Sequence, residues 1–198
     1  MTVPTAAAAA LAFAIQLNTV AVPLVCAQSS TRHVGDAVSA SWLSALELPV
    51  GKVPVTLIDG VDFQRVSADD AAVALPRTRS YENLHVHVDW IRLASRSLEV
   101  ALGRRVTCAA YASQAGDTSL GRHDDDWDGI IVQLEGAKRW RVWTAPEGGP
   151  TEIVTRVGDV LVLTRGVPHD VDTPGRSLHL AFAVTHQPRP VEPPLTRM

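Results

Sequence analysis

Residues 129–143, Gly129-Ile130-Ile131-Val132-Gln133-Leu134-Glu135-Gly136-Ala137-Lys138-Arg139-Trp140-Arg141-Val142-Trp143, decide the fold class of this 198-residue chain. An apolar run on one side of Glu135-Gly136-Ala137 and an alternating polar and apolar run on the other read as a β-hairpin. Its second strand begins at Lys138. Working outward, further short β runs lie at roughly 105–112, 152–157, 159–163 and 177–185. The linkers between these runs are too short for crossover helices, so the expected pairing is antiparallel, closing into a barrel or jelly roll.

The first third reads as helices with one strand. Residues 6–17 are Ala-rich, Asp36 can cap a helix carrying Trp42, Leu43 and Leu46, and Ser67-Ala68-Asp69-Asp70 resembles a capping box before residues 71–75. Val53-Pro54-Val55-Thr56-Leu57-Ile58 ends at Asp59-Gly60 as a strand and turn. Leu84-His85-Val86-His87-Val88 alternates as a strand; Asp89 then caps a helix with Ile91, Ala94, Leu98, Ala101 and Leu102 on one stripe, ending at Gly103. Pro188, Pro190, Pro193 and Pro194 exclude a central strand or helix interior near the end. The expected organisation is an N-terminal helical arm (1–22), one mainly β domain with helices packed on it (23–186) and a Pro-rich tail (187–198).

Hydrophobic residues make up 46% and charged residues 20%, and the net charge is −3. That balance is ordinary for a globular domain and gives no electrostatic reason to expect nucleic acid. Cys26 and Cys108 form no Cys-x-x-Cys motif, so neither a zinc site nor a disulfide framework is expected, and reduced thiols suit a cytoplasmic location. Residues 1–5 carry no Lys or Arg and Gln16-Leu17-Asn18 interrupts the apolar run. The segment is therefore expected to be a packed helix rather than a signal peptide or a membrane span.

His123 and Asp125, followed 44 residues after Asp125 by His169 in Arg165-Gly166-Val167-Pro168-His169, can hold a metal. Two imidazoles and one carboxylate occupy one face of an octahedral Fe(II) and leave the opposite positions open. On an extended strand, His123 and Asp125 point the same way while Asp124 and Asp126 point away. The same run also matches a calcium loop: Asp124, Asp126 and Asp128 stand at positions 1, 3 and 5, Gly129 at 6 and Glu135 at 12. That loop needs an entering and an exiting helix, whereas Gly116 and Gly121 precede it and a β pattern follows. Lys138 could face the metal, or stand exposed at a hairpin turn. His85 and His87 read as packed or surface side chains; Trp127, Trp140 and Trp143 read as packing, with Trp127 placed to contact a substrate.

Three motifs together resemble the ribosomal oxygenases, JmjC-type members of the cupin superfamily. They are His123-Asp124-Asp125-Asp126 with Gln133-Leu134-Glu135-Gly136-Ala137-Lys138-Arg139-Trp140, Gly158-Asp159-Val160-Leu161 through His169, and Ser177-Leu178-His179-Leu180. The similarity runs from about residue 23 to 184 and implies a double-stranded β-helix, that is, a cupin jelly roll. It also implies an Fe(II)- and 2-oxoglutarate-dependent dioxygenase that uses O2 to hydroxylate an unactivated C–H bond of an amino-acid side chain. By the same resemblance, His123, Asp125 and His169 are the metal ligands and the catalytic residues. Lys138 pairs with the distal carboxylate of 2-oxoglutarate, and Tyr111 and His179 line the cosubstrate pocket.

Family members continue into a dimerisation region and a winged-helix module, whereas this chain ends about 14 residues after its last expected strand. The expected substrate is accordingly a protein, a peptide or a small natural product, with a homodimer among the open oligomeric states. A metal-dependent cupin enzyme that does not use 2-oxoglutarate, and a non-catalytic ligand-binding cupin, stand as alternatives.

Overall fold

The computed structural model of the protein describes residues 5–27, 31–48, 53–59, 62–66, 77–117, 119–145 and 147–190. Helix α1 (Ala6–Cys26) is followed by β1 (Arg32–Val34), α2 (Ala40–Leu43), β2 (Val55–Asp59), β3 (Asp62–Val66) and β4 (Thr78–Tyr81). Helices α3 (Leu84–His87) and α4 (Asp89–Leu102) lead into β5 (Arg104–Ser113), β6 (Asp128–Val142), β7 (Thr151–Arg156), β8 (Val160–Leu163), β9 (His169–Asp172) and β10 (Ser177–Pro188). All strand pairing is antiparallel. The larger sheet runs β1-β8-β6-β10-β5-β4-β2-β3, while the second half of β6 pairs with β7 and β9 in a smaller sheet facing it. This is the jelly roll expected from the strand spacing.

The expected hairpin at 129–143 is instead one continuous 15-residue strand that serves both sheets. Gly129 to Val132 pair with β8 and Ala137 to Val142 with β7. Gly136 makes the passage possible: its φ is +61°, and a Cβ there would lie 1.8 Å from the Arg176 carbonyl oxygen. Just before it, the register with β10 steps from His179↔Gln133 to Leu178↔Glu135, so Leu134 is an extra, bulged residue. The bulge reverses the alternation of the strand. Ile131 belongs with the barrel-interior cluster and Ile130 and Val132 with the helix-side cluster, yet beyond the bulge the even-numbered Trp140 and Val142 are the interior residues. Without the extra residue, Lys138 would share the face of Ile130 and Val132. Gln133 stabilises the irregularity, its Nε2 donating to the carbonyls of Glu135 and Leu178 and to Ser177 Oγ.

Helices α1 and α4 cover the outer face of the larger sheet. Phe13, Leu17, Ile91, Leu98, Ile130, Leu180 and Phe182 are fully buried in this layer, and each such side chain contributes about 1.5–3 kcal/mol by leaving water. The helix runs past Gln16-Leu17-Asn18 because both polar side chains find partners: Gln16 Oε1 accepts from the Ser39 amide and Asn18 Nδ2 donates to Ser97 Oγ. At 21 residues, α1 is long and apolar enough to cross a membrane, but one face of it lies in the core. It also runs through the expected boundary at 22/23, so the proposed arm is the first layer of the domain.

Several smaller expectations are corrected. Residues 84–87 form a helical turn, not a strand, because Leu84 and Val88, four apart, are both buried and the Val88 amide donates to the Leu84 carbonyl. Asp36 caps no helix; its φ is +50° and its amide donates to Asp159, leaving Ser39 to precede the short α2. The last strand reaches Pro188, past the expected tail boundary at 187. The segment expected at 71–75, with its capping box from Ser67, lies outside the described residues, as do 191–198. The helix ends at Gly103 as expected, with Gly103 in the left-handed conformation at φ +68°, but Asp89 is its first residue and not its cap, which is Val88, and Ala101 of the expected stripe is exposed.

Candidate metal and cosubstrate site

The smaller sheet ends in an isolated bridge between His123 and His169, whose amides and carbonyls exchange bonds of 2.9 and 2.8 Å. His123 is therefore held in an extended conformation although no regular strand forms around it. Asp125 follows two residues on, and its carbonyl accepts from the Gly166 amide at 2.9 Å. That bond ties the segment to the turn that delivers His169. His123, Asp125 and His169 present ligand atoms that all lie within 4.8 Å of one another, and His169 Nε2 stands 3.7 Å from Asp125 Oδ2.

The donor set fits a divalent cation. His123 Nδ1 lies 2.9 Å from the Gly121 carbonyl and His169 Nδ1 lies 3.0 Å from the Val167 carbonyl. A carbonyl only accepts, so each Nδ1 carries the proton and each Nε2 offers a lone pair. Burial holds His169 below its ordinary value, which favours this neutral donor form. Burial pushes the Asp125 carboxyl up to about 6, with the neighbouring Asp126 and Asp124 adding to the rise against the opposing effect of His123. A cation between the three side chains would offset that cost.

The cavity into which these groups open has an empty volume of about 610 Å³, in continuity with solvent. Tyr111, Lys138, Trp140 and His179 line it, and Leu120 and Trp127 stand among its other lining residues. Lys138 is 2% exposed, and burial pulls its ammonium down to about 8 against smaller opposing effects of Asp117 and Asp172. Its Nζ donates to Ser113 Oγ at 2.8 Å, and that hydroxyl lies 3.0 Å from Thr78 Oγ1. The exposed-lysine alternative is thereby excluded. His179 stacks on Tyr111 with ring centroids 5.2 Å apart, and it meets Trp140 edge-on at 5.6 Å. Its Nδ1 is buried with no hydrogen-bond partner among the described residues, and burial beside the Lys138 cation holds the ring neutral.

Every sequence-expected site residue lines this one cavity: His123, Asp125, His169, Lys138, Tyr111, His179 and Trp127. His85 does not; its Nδ1 accepts from the Cys108 amide, fastening α3 to β5. Ser113, Thr78 and Trp140 were not expected at the site. Ser113 carried a signal, standing two residues from Tyr111 on the same face of β5. Thr78 carried none, since β4 was not foreseen. The calcium-loop reading fails on geometry: β6 begins at Asp128, where an exiting loop and helix would be needed, and Glu135 pairs with Arg176.

Residues 83–190 match the JmjC domain family model. Among curated proteins, the chain is 35% identical over 104 residues to ribosomal oxygenase 2 of Rattus norvegicus, covering 43% of this chain and 22% of that protein. It is 26% identical over 129 residues to the bifunctional lysine-specific demethylase and histidyl-hydroxylase NO66 of Caenorhabditis elegans, covering 53% of this chain and 17% of the relative. The matched stretch thus spans about a fifth of the length of these relatives. Among solved structures, the Escherichia coli ribosomal oxygenase YcfD in complex with cobalt and 2-oxoglutarate superimposes with a TM-score of 0.63 at 16% identity, over 86% of this chain and 50% of that one. That likeness covers more of the chain than the sequence matches do. With more than half of its residues matched, the chain belongs to the JmjC domain family.

Proposed function

We propose that this chain is an Fe(II)- and 2-oxoglutarate-dependent oxygenase domain that hydroxylates an unactivated C–H bond of an amino-acid side chain in a protein or peptide. The observation that carries the reading is Lys138: a buried ammonium whose one hydrogen bond among the described residues goes to Ser113, opening on the same cavity as two imidazoles and a carboxylate. Burying an unpaired cation is costly, and a small dicarboxylate that spans from metal to ammonium would supply the missing partner. His123, Asp125 and His169 would hold the metal. Fe(II), when bound there, supplies the redox chemistry that couples decarboxylation of 2-oxoglutarate to succinate with transfer of one oxygen atom of O2 to substrate.

The chain's own residues bind and orient. Lys138, supported by Ser113 and Thr78, would fix the distal carboxylate; Tyr111 and Trp140 wall the cavity with flat apolar surface; and His179, neutral and with a free Nδ1, can meet a polar atom of the cosubstrate. Leu120 and Trp127 would receive the target side chain. A protein substrate accords with the names of the relatives, and the free thiols Cys26 and Cys108 suit a cytoplasmic location.

The test is turnover. Aerobic incubation with Fe(II) and 2-oxoglutarate should release succinate, more so with a true substrate, and candidate peptides should gain the mass of one oxygen atom. Wild-type protein releasing no more succinate than Asp125→Ala would sink the proposal.

A further inference from the structure

Asp128, the fifth position of the apparent calcium loop, is buried yet lines no part of the cavity. Its two carboxylate oxygens have separate tasks. Oδ1 accepts from the Arg165 amide at 2.9 Å, at the start of the turn that carries His169, and Oδ2 accepts from Arg104 Nη1 at 2.7 Å. Arg104 is spent on one structural irregularity. The β10 register breaks between Val184 and Pro188, and there Arg104 Nη2 donates to the Val184 carbonyl at 2.9 Å and Nε to the Thr185 carbonyl at 2.8 Å.

We propose that Arg104 and Asp128 are positioning residues that hold the His169-bearing turn at the separation from the His123-x-Asp125 segment that a metal requires. The inference rests on the metal reading of the site given above. Besides the His123–His169 bridge at its far end, the turn is attached to the Asp125 segment by the Gly166 amide on the Asp125 carbonyl and by the Arg165 amide on the Asp128 side chain. The Asp128 bond fixes the start of the turn, where the His123–His169 bridge fixes its end, so the side-chain pair sets the path by which the turn delivers His169 beside Asp125. The guanidinium in turn fixes the rotamer of Asp128, with its other donors anchored on β10. Three acceptors in three directions suit a rigid planar fork and not a single ammonium.

Groups that orient metal ligands from behind typically change metal affinity about 10–100-fold when removed. The test is isothermal titration of Co(II) into the full chain and its Arg104→Lys, Asp128→Asn and His169→Ala variants, alongside thermal unfolding without metal. Arg104→Lys keeps the charge and is the milder change; Asp128→Glu keeps the carboxylate and replaces Asp128→Asn if that variant does not fold. Both pair variants should weaken Co(II) binding by about 10–100-fold, and the double variant by little more than either one, as for two residues acting as a unit. A purely structural role would lower the unfolding temperature and leave Co(II) affinity within about threefold of wild type, and that result overturns the inference alone. Wild-type protein that fails to bind Co(II), or binding unaffected by His169→Ala, overturns the metal reading and the inference with it.

Discussion

Replacing Lys138 with Met should weaken 2-oxoglutarate binding steeply while making the ligand-free protein more stable. Lys138 is 2% exposed, and burial lowers its ammonium from 10.5 to about 8. At 1.36 kcal/mol per pKa unit, that drop is roughly 3 kcal/mol withheld from the charged form. The folded-state value lies below the unfolded one, so the charge costs stability at pH 7, and the cost fades as pH climbs from about 8 towards 10.5. Met fills the stem's volume without the charge. Allowing about 1 kcal/mol for the lost bond to Ser113, the ligand-free variant should gain roughly 1–2 kcal/mol. For a chain of this size that is a rise of several degrees in Tm, at about 2–4 °C per kcal/mol.

Binding moves the other way. Removing one member of a buried charge pair costs about 2–5 kcal/mol, a Kd raised about 30-fold to several thousand-fold. Titration of 2-oxoglutarate into the Co(II)-loaded protein, with thermal unfolding of the ligand-free form, measures both. In wild type the Kd should be flat below pH 8 and rise about tenfold per pH unit above it, where the ammonium must first regain its proton. A Kd for Lys138→Met within about fivefold of wild type, or a variant destabilised by more than about 1 kcal/mol, would refute the assignment of Lys138 as a cation awaiting a carboxylate.

Other substitutions probe the frame around the site. Gly136→Ala places a methyl 1.8 Å from the Arg176 carbonyl at a φ of +61°, so it should cost at least about 3 kcal/mol and broaden or abolish the cooperative transition; a Tm within a degree of wild type would contradict the bend. Phe13→Ala removes a fully buried ring from the helix layer, and a loss of about 3–5 kcal/mol in chemical denaturation is expected; a neutral result would contradict the packing of α1 on the sheet. Calcium titration followed by far-ultraviolet circular dichroism should show no micromolar transition with gain of helix, since Asp128 and Glu135 are engaged by Arg104 and Arg176.

The antiparallel fold was legible because the runs at 105–112, 152–157 and 159–163 are short, β-branched and closely spaced, and each became a strand within a residue or two. That His123, Asp125, His169 and Lys138 converge on one cavity was legible because motif and spacing agreed. What stayed hidden depends on long-range geometry. A Glu-Gly pair between two β runs favours a hairpin locally, and only the collision of a Cβ with Arg176, 40 residues away, distinguishes a sheet-to-sheet bend from a turn. Leu84 to Val88 alternates like a strand, yet burial of Leu84 and Val88 beside α4 wins over alternation. Asp128 looked like one acid among several, and its partners Arg104 and Arg165 lie 24 and 37 residues distant.

The proposed function requires one cavity to hold Fe(II) on His123, Asp125 and His169 with 2-oxoglutarate anchored on Lys138. Anaerobic addition of Fe(II) and then 2-oxoglutarate to the purified protein should produce a weak visible metal-to-ligand charge-transfer band. The band should be lost in His169→Ala and require far higher 2-oxoglutarate in Lys138→Met. No band in wild type, or a band of full strength in His169→Ala, would contradict the claim.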